Sequence, residues 1–285
     1  KVMNYRKIID EGVKILKKNY ISSANLDAQL LLSLSVKKPR EEIILNSEIK
    51  MNLDQIKYFY DLIDRRKKRE PISQIAGKKF FWKGEFNVNK SVLTPRFETE
   101  LLVEEILKLY DSSSKINFID IGSGSGCIII SLLKERKGWF GTGLDISKPT
   151  IQVAKINAKI QQVDNRIKFI NSDIDKLYYG KYDLIVTNPP YINKIGYNNL
   201  DFGVKGYEPK LALYGGLDGL HIIEKVIKKS RLVLKNNNSL LAMEIGLGQH
   251  YKVLEILRKN RFYIVKTLRD YQRIKRFIFA RKLSV

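Results

Sequence analysis

A single cysteine, Cys127, stands in a chain of 285 residues, which excludes a disulfide framework and a thiolate-built metal site. Histidines are nearly as scarce. His221 and His250 are far apart and lack a His-Glu-x-x-His pattern, so they are expected at the surface or at helix ends, and no metal is assigned. No run of ~18 apolar residues occurs, and the first 20 residues carry charges throughout. Neither a membrane span nor a signal peptide is visible, so a cytoplasmic protein with no membrane partner is expected. The chain opens on Lys1 and not on Met, which leaves room for a longer native chain or a fused domain.

Acidic residues are also in short supply, 30 Asp and Glu against 52 Lys and Arg, for a formal net charge of +22. Such an excess can neutralise phosphates and release counterions, the footprint of a nucleic-acid partner. However, Lys outnumbers Arg 37 to 15, and 36 Ile accompany only 8 Ala. That profile reads as a compositional drift of the whole chain, as an AT-rich genome produces. The excess is uneven: +6 over residues 1–75, +4 over 76–220 and +12 over 221–285. A nucleic-acid contact through this basic C-terminal region is compatible with the charge but not required by it.

What remains is ordinary for a folded protein, with 44% hydrophobic and 29% charged residues, and the length suits two domains. Over residues 1–76 the apolar spacing is helical: Tyr5, Ile8, Ile9, Val13 and Leu16, then Leu26, Leu30, Leu31 and Leu34 behind a Ser22-Ser23 cap. A third pattern starts near Asn52 and ends in Arg65-Arg66-Lys67-Lys68-Arg69, read as a solvated, dipole-compatible run that Pro71 stops. Residues 77–95 carry a hairpin, Phe80-Phe81-Trp82 and Phe86-Asn87-Val88 about a polar turn. Over 96–285 short apolar runs alternate with helical patterns: Ile116–Ile121, Trp139–Leu144, Ile167–Ile170, Tyr182–Val186, Leu240–Ile245, Phe262–Val265 and Phe277–Ala280. Strands separated by helices imply a parallel α/β sheet. The last two runs, joined only by the polar stretch Lys266–Arg276, suggest a final antiparallel pair.

Two segments carry chemistry. Gly122-Ser123-Gly124-Ser125-Gly126 follows the first sheet strand and opens a helix, where glycines permit close backbone approach and amide donors are unpaired. Cys127 occupies the place where a dinucleotide fingerprint needs glycine, so the nicotinamide pattern is not met. Asp145, 19 residues beyond Gly126 at the end of the next run, suits both hydroxyls of a ribose. A nucleoside without a pyrophosphate fits best, which points to S-adenosyl-L-methionine. The second segment, Asn188-Pro189-Pro190-Tyr191, follows the apolar run Leu184-Ile185-Val186. Two prolines stiffen the loop and leave carbonyl acceptors beside the Asn188 amide, while Tyr191 offers a flat face. This set suits a planar –NH2 group, a poor nucleophile that needs orientation more than a base.

Together these segments resemble the class I methyltransferases that act on planar nitrogen, a group holding adenine-N6 and protein-glutamine enzymes. Gly77 to Val88, then Val92-Leu93-Thr94-Pro95-Arg96-Phe97-Glu98-Thr99-Glu100, are similar to the hairpin and following segment of the peptide chain release factor N5-glutamine methyltransferases, the HemK/PrmC family. So are Glu208-Pro209, Gly215-Gly216-Leu217-Asp218-Gly219, Glu244-Ile245-Gly246 and Gln249. The resemblance implies a Rossmann-like seven-stranded sheet preceded by a small helical bundle and a connecting β-hairpin. It implies a cofactor site of Gly122, Ser123, Gly124, Ser125, Gly126, Asp145, Asp173, Ile174, Asn188, Phe97 and Glu98. Asn188, Pro189, Pro190 and Tyr191 would form the catalytic and glutamine-binding pocket, and class I release factors would be the partners, held by the helical domain and hairpin. Two rivals are an adenine-N6 methyltransferase acting on RNA or DNA and a catalytically silent module that keeps the fold. Glu208-Pro209 and Gly215-Gly216 are read as loop-shaping, and Cys127 as packing.

Overall fold

The computed structural model describes residues 3–178 and 180–283. Its chain separates into two units, Lys1–Gly77 with Asp201–Tyr207, and Lys78–Leu200 with Glu208–Val285.

The first unit is helical: α1 (Tyr5–Lys18), α2 (Ala24–Val36), α3 (Arg40–Leu45), α4 (Leu53–Lys67) and α5 (Ile72–Ala76). The apolar spacing becomes a buried stripe, with Ile8 and Leu16 of α1 packed among Ala28, Leu31 and Leu32 of α2 and Phe59 and Leu62 of α4. Each of the Ile, Leu and Phe side chains so removed from water contributes about 1.5–3 kcal/mol. Asn52 begins α4 with a capping box, its side chain and that of Gln55 each serving the other's backbone amide. Ser23 differs from the expected cap: its hydroxyl donates to Asp27 instead of accepting from the helix. The basic run closing α4 is not simply solvated either. Arg66 Nε lies 2.7 Å from the buried Asp27 carboxylate, and Arg65 grips Glu70 with two nitrogens. Nearly buried carboxylates need such partners.

The second unit begins with the hairpin, β1 (Lys78–Phe81) and β2 (Gly84–Asn87), paired Phe81↔Gly84 around Trp82-Lys83. Phe81 and Phe86 enter the core, and the Asn87 amide donates to Asn157 at 2.8 Å. The chain continues through α6 (Glu100–Leu109), β3 (Asn117–Ile121), α7 (Cys127–Glu135), β4 (Phe140–Asp145), α8 (Lys148–Ile160), β5 (Ile167–Asn171) and β6 (Leu184–Thr187). Short helices α9 (Lys194–Asn198), α10 (Phe202–Lys205, part of the helical unit) and α11 (Lys210–Leu213) follow. Then come α12 (His221–Val233), β7 (Leu240–Glu244), α13 (His250–Lys259), β8 (Phe262–Arg269) and β9 (Lys275–Lys282). The sheet has seven strands in the order β5-β4-β3-β6-β7-β9-β8. β3 to β7 run parallel, while β9 is antiparallel to both β7 and β8.

Successive strand residues feed opposite faces, as a pleated strand requires. Phe118, Leu184 and Val186 pack with α6 and α7, whereas Ile119 and Ile185 pack with Ile223 and Ile227 of α12 and Val253 of α13. The sheet is therefore wound on both sides, as the alternation of strands and helices predicts. The polar stretch Lys266–Arg276 is mostly strand, not loop, with a turn built on Asp270, whose carboxylate accepts from the Gln272 and Ile274 amides and from Arg276. No helix among the described residues is long and apolar enough to cross a membrane.

Candidate active site

Strand order reverses between β3 and β6, and at such a switch point the carboxyl ends of parallel strands leave a crevice. A cavity of about 240 Å³ lies there, walled by the cradle of Gly122 and Gly124, by Asp145 and Asp173, and by Asn188 and Pro189. The cradle turns back because Gly122, Gly124 and Gly126 take φ of +74°, +56° and +80°, a region that L side chains rarely adopt. A Cβ at Gly122 would meet nothing within 4 Å, so the space beside this backbone is free for a ligand.

Asp145 anchors the cradle. Its Oδ2 accepts from the Gly124 amide at 3.1 Å and its Oδ1 from the Ser147 amide at 2.9 Å. Each oxygen keeps further acceptor capacity, so the pair can take two neighbouring hydroxyls. Burial raises the Asp145 pKa, opposed by the Ser147 and Gly124 amides. Asp173 accepts from the Asp175 amide at 2.8 Å and so fixes the turn that brings Ile174 to the cavity wall. Open glycine backbone at a helix start with an oriented carboxylate beside it fits a nucleoside cofactor.

Opposite the cradle, Asn188 Nδ2 donates to Thr99 Oγ1 at 3.3 Å, Thr99 Oγ1 donates to Glu244 Oε2 at 2.6 Å, and Tyr191 Oη donates to Glu244 Oε1 at 3.2 Å. Glu244 is fully inside, and burial raises its pKa against hydrogen bonds from Thr99 and Tyr191. The Tyr191 hydroxyl is pushed up as well, first by burial and then by the Glu244 charge. The loop backbone is clamped: Gln249 Nε2 donates to the carbonyls of Tyr191 (2.9 Å) and Gly219 (3.1 Å), while its Oε1 accepts from the Gly246 amide. A Cβ at Gly219 would come within 2.3 Å of the Tyr191 carbonyl oxygen, so only glycine fits that approach. Nearby, Glu208 accepts from Arg96 Nη2 at 2.6 Å and from the Thr94 amide, holding the segment before Thr99.

Of the residues singled out in the sequence, Gly122 to Ser125, Asp145, Asp173, Ile174, Asn188, Pro189 and Pro190 line one cavity. Gly126 sits behind it as the N-cap of α7. Tyr191 is turned toward Glu244 and is not on the cavity wall. Phe97 and Glu98 do not line the cavity either: Phe97 stacks on Tyr271 at 5.1 Å, while its neighbours Arg96 and Thr99 do reach the wall. Both histidines stand at helix starts, as expected: His221 opens α12 exposed, and His250 opens α13 buried beside Thr267. Sequence reasoning gave no role of their own to Thr99 or Asp120, while Glu208, read as loop-shaping, holds Arg96 and the Thr94 amide. Asp120 ends the β3 core run fully buried, with neither carboxylate oxygen in a hydrogen bond of ordinary geometry. The available signal was a carboxylate set inside an apolar run, as with both Asp120 and Glu244.

Residues 7–77 match the PrmC N-terminal domain, and residues 97–200 match the methyltransferase small domain. The release factor glutamine methyltransferase of Caulobacter vibrioides is 37% identical over 256 residues, spanning 90% of this chain and 88% of that protein. The protein of the same name from Fusobacterium nucleatum subsp. nucleatum is 38% identical over 281 residues, 96% of this chain and 78% of the other. Among solved structures, the ribosomal protein L11 methylase of Lactobacillus delbrueckii subsp. bulgaricus shares the fold, with a TM-score of 0.51 at 19% identity over 68% of this chain and 82% of that one.

Proposed function

This chain belongs to the release factor glutamine methyltransferase family, and on that footing we propose that it methylates class I peptide chain release factors. The side-chain amide nitrogen of the glutamine in their Gly-Gly-Gln loop takes the methyl group of S-adenosyl-L-methionine as the sulfur–methyl bond breaks and the nitrogen gives up one proton, leaving N5-methylglutamine and S-adenosylhomocysteine. The observation that carries this reading is that Asn188-Pro189-Pro190 and the Gly122–Gly124 cradle wall the same cavity.

Bound in the cradle, the cofactor supplies an electrophilic methyl group on a positively charged sulfur. Gly122 to Ser125, Asp145, Asp173 and Ile174 are assigned to hold its nucleoside part, with Gly126 shaping the turn behind them. The side of the reaction that needs help is the nucleophile, because an amide nitrogen's lone pair is delocalised into its carbonyl. Asn188 accepts one amide hydrogen, the rigid carbonyls of Pro189 and Pro190 stand ready for the other, and Tyr191 backs the loop. Drawing both hydrogens into acceptors localises the lone pair and aims it, so the acceleration comes from orientation and fixed dipoles. Recognition of the release factor is assigned to the helical unit and the hairpin. The basic residues 221–285 leave room for a nucleic-acid contact, but the reaction does not need one.

The test is incubation with methyl-labelled cofactor and, separately, a release factor, its loop variant with Gln replaced by Ala, and RNA or DNA. Label is expected in the release factor and not in the variant. Label confined to nucleic acid would replace this reading with adenine-N6 methylation, and label in none of them would mark a catalytically silent module.

A further inference from the structure

We infer that Glu244 is a positioning residue which, acting through Thr99, sets which end of the Asn188 amide is offered to the substrate. The inference rests on the proposed function and follows from counting hydrogens along Asn188, Thr99, Glu244 and Tyr191. An ionised carboxylate accepts and cannot donate, so both of its partners must donate to it. Tyr191 does so through Oη, and Thr99 through its single hydroxyl hydrogen. With that hydrogen committed, Thr99 can present only a lone pair to Asn188. The Asn188 amide must then give Thr99 its Nδ2, as the 3.3 Å contact has it, and Oδ1 is the acceptor it has left to offer. A glutamine –NH2 needs that polarity. The reverse orientation would set donor against donor.

The order of donors depends on the charge state of one buried group. Protonated, Glu244 would itself carry a hydrogen, the Thr99 hydroxyl could turn its own toward Asn188, and the amide would be free to flip. Facing Glu244 are Tyr191 from the loop after β6, Arg276 at the start of β9, Glu98 before α6 and Cys127 at the start of α7. Arg276 favours the ionised form, while burial and Glu98 oppose it. A buried carboxylate with two hydroxyl donors is also costly to keep unless both donors stay in place, which makes the arrangement all-or-none.

Three variants test this: Thr99→Val, which keeps the shape and removes the hydroxyl, Thr99→Ser, which restores the hydroxyl, and Glu244→Gln. Thr99→Val is expected to lower kcat for release factor methylation by roughly tenfold to a hundredfold, with KM and cofactor Kd within about twofold, as for loss of an oriented donor or acceptor. Thr99→Ser should recover most of that loss. Wild-type kcat should fall as the pH is lowered, and Glu244→Gln should be slow at every pH without that limb. Equal losses in Thr99→Val and Thr99→Ser, or a loss in Thr99→Val matched by weaker cofactor binding, overturn the inference. A readout free of substrate separates it from the function itself. The Asn188 side-chain amide signal, identified by its disappearance in Asn188→Ala, should shift and lose exchange protection in Thr99→Val but not in Thr99→Ser. An unmoved signal overturns the relay whether or not release factor is labelled. Unlabelled release factor with a moved signal overturns the function and leaves the relay standing.

Discussion

Asp120 enters the interior at the end of β3 with no hydrogen bond of ordinary geometry to either oxygen. Burial pushes its carboxyl up to about 7 against the opposing Ile129 amide, and the nearby Asp145 adds to the rise. A carboxyl whose folded pKa exceeds its unfolded one costs stability when it ionises, so that cost grows as the pH rises from about 4 to about 7 and persists above. Asp120→Asn is accordingly expected to raise unfolding free energy by about 2 kcal/mol at pH 8 and to make little difference at pH 4, read by denaturant titration at both. Asn188 sits at the other extreme, a side chain whose value lies in the reaction. Asn188→Ala should lower kcat by roughly two orders of magnitude while leaving cofactor affinity within a few-fold, because the glycine cradle and Asp145 hold the nucleoside part of the cofactor and stay in place. Single-turnover transfer and calorimetric titration of the cofactor check the two halves separately.

At the scale of elements, the loop after β6 owes its shape less to its prolines than to what grips it. Gln249, at the N-terminus of α13, bridges the carbonyls of Tyr191 and Gly219 and the amide of Gly246. Truncating it would leave three backbone groups without their partner, and each such group costs about 1–3 kcal/mol when it stays buried. Gln249→Ala is expected to lower Tm by several degrees and kcat by about tenfold with unchanged cofactor Kd. Gln249→Glu should be the worse of the two, since it sets an acceptor-only carboxylate against the two carbonyl oxygens that Gln249 donates to. Much of this architecture was legible in the chain. The strands show as short apolar runs, and the cradle and the Asn-Pro-Pro-Tyr loop are contiguous peptides whose chemistry is local. Thr99 and Glu244 each lie in segments that carry the family resemblance, but their pairing was hidden because the contact spans 145 residues and exists only once β7 lies beside the start of α6. The grouping of Asp201–Tyr207 with the helical unit was equally hidden, since it rests on contacts such as the Tyr207 hydroxyl with the Lys68 carbonyl. Lys266–Arg276 was misleading for a different reason. β8 is an edge strand whose pairing shifts register at Ile264/Lys266 and Leu268/Arg269, so its inward and outward residues do not alternate cleanly and its second half shows only as a polar stretch.

Over the whole molecule the excess of cations sets an electrostatic background that no single pair removes. A net charge of +22 on 285 residues repels itself in the folded state more than in the expanded chain. Several of the ion pairs among the described residues set exposed lysines against exposed carboxylates, such as Lys259–Glu255 and Lys108–Glu104, and pairs of that kind contribute little each. Salt should therefore stabilise, because the Debye length shrinks from about 30 Å at 0.01 M to about 8 Å at 0.15 M, and long-range repulsion is screened before short contacts weaken. Raising NaCl from about 10 to 150 mM is expected to lift Tm by several degrees. A substitution can separate this effect from specific ion binding. Lys252 is exposed in the first turn of α13, where a cation faces the positive end of the helix dipole. Lys252→Glu lowers the net charge by two and corrects that local mismatch, so it should stabilise by about 0.5–1 kcal/mol at low salt, with the gain shrinking as NaCl rises. If Tm were flat with NaCl, or the Lys252→Glu gain did not fade, the crowding of positive charge would not be what limits this fold, and the local helix-end term alone would have to account for the variant.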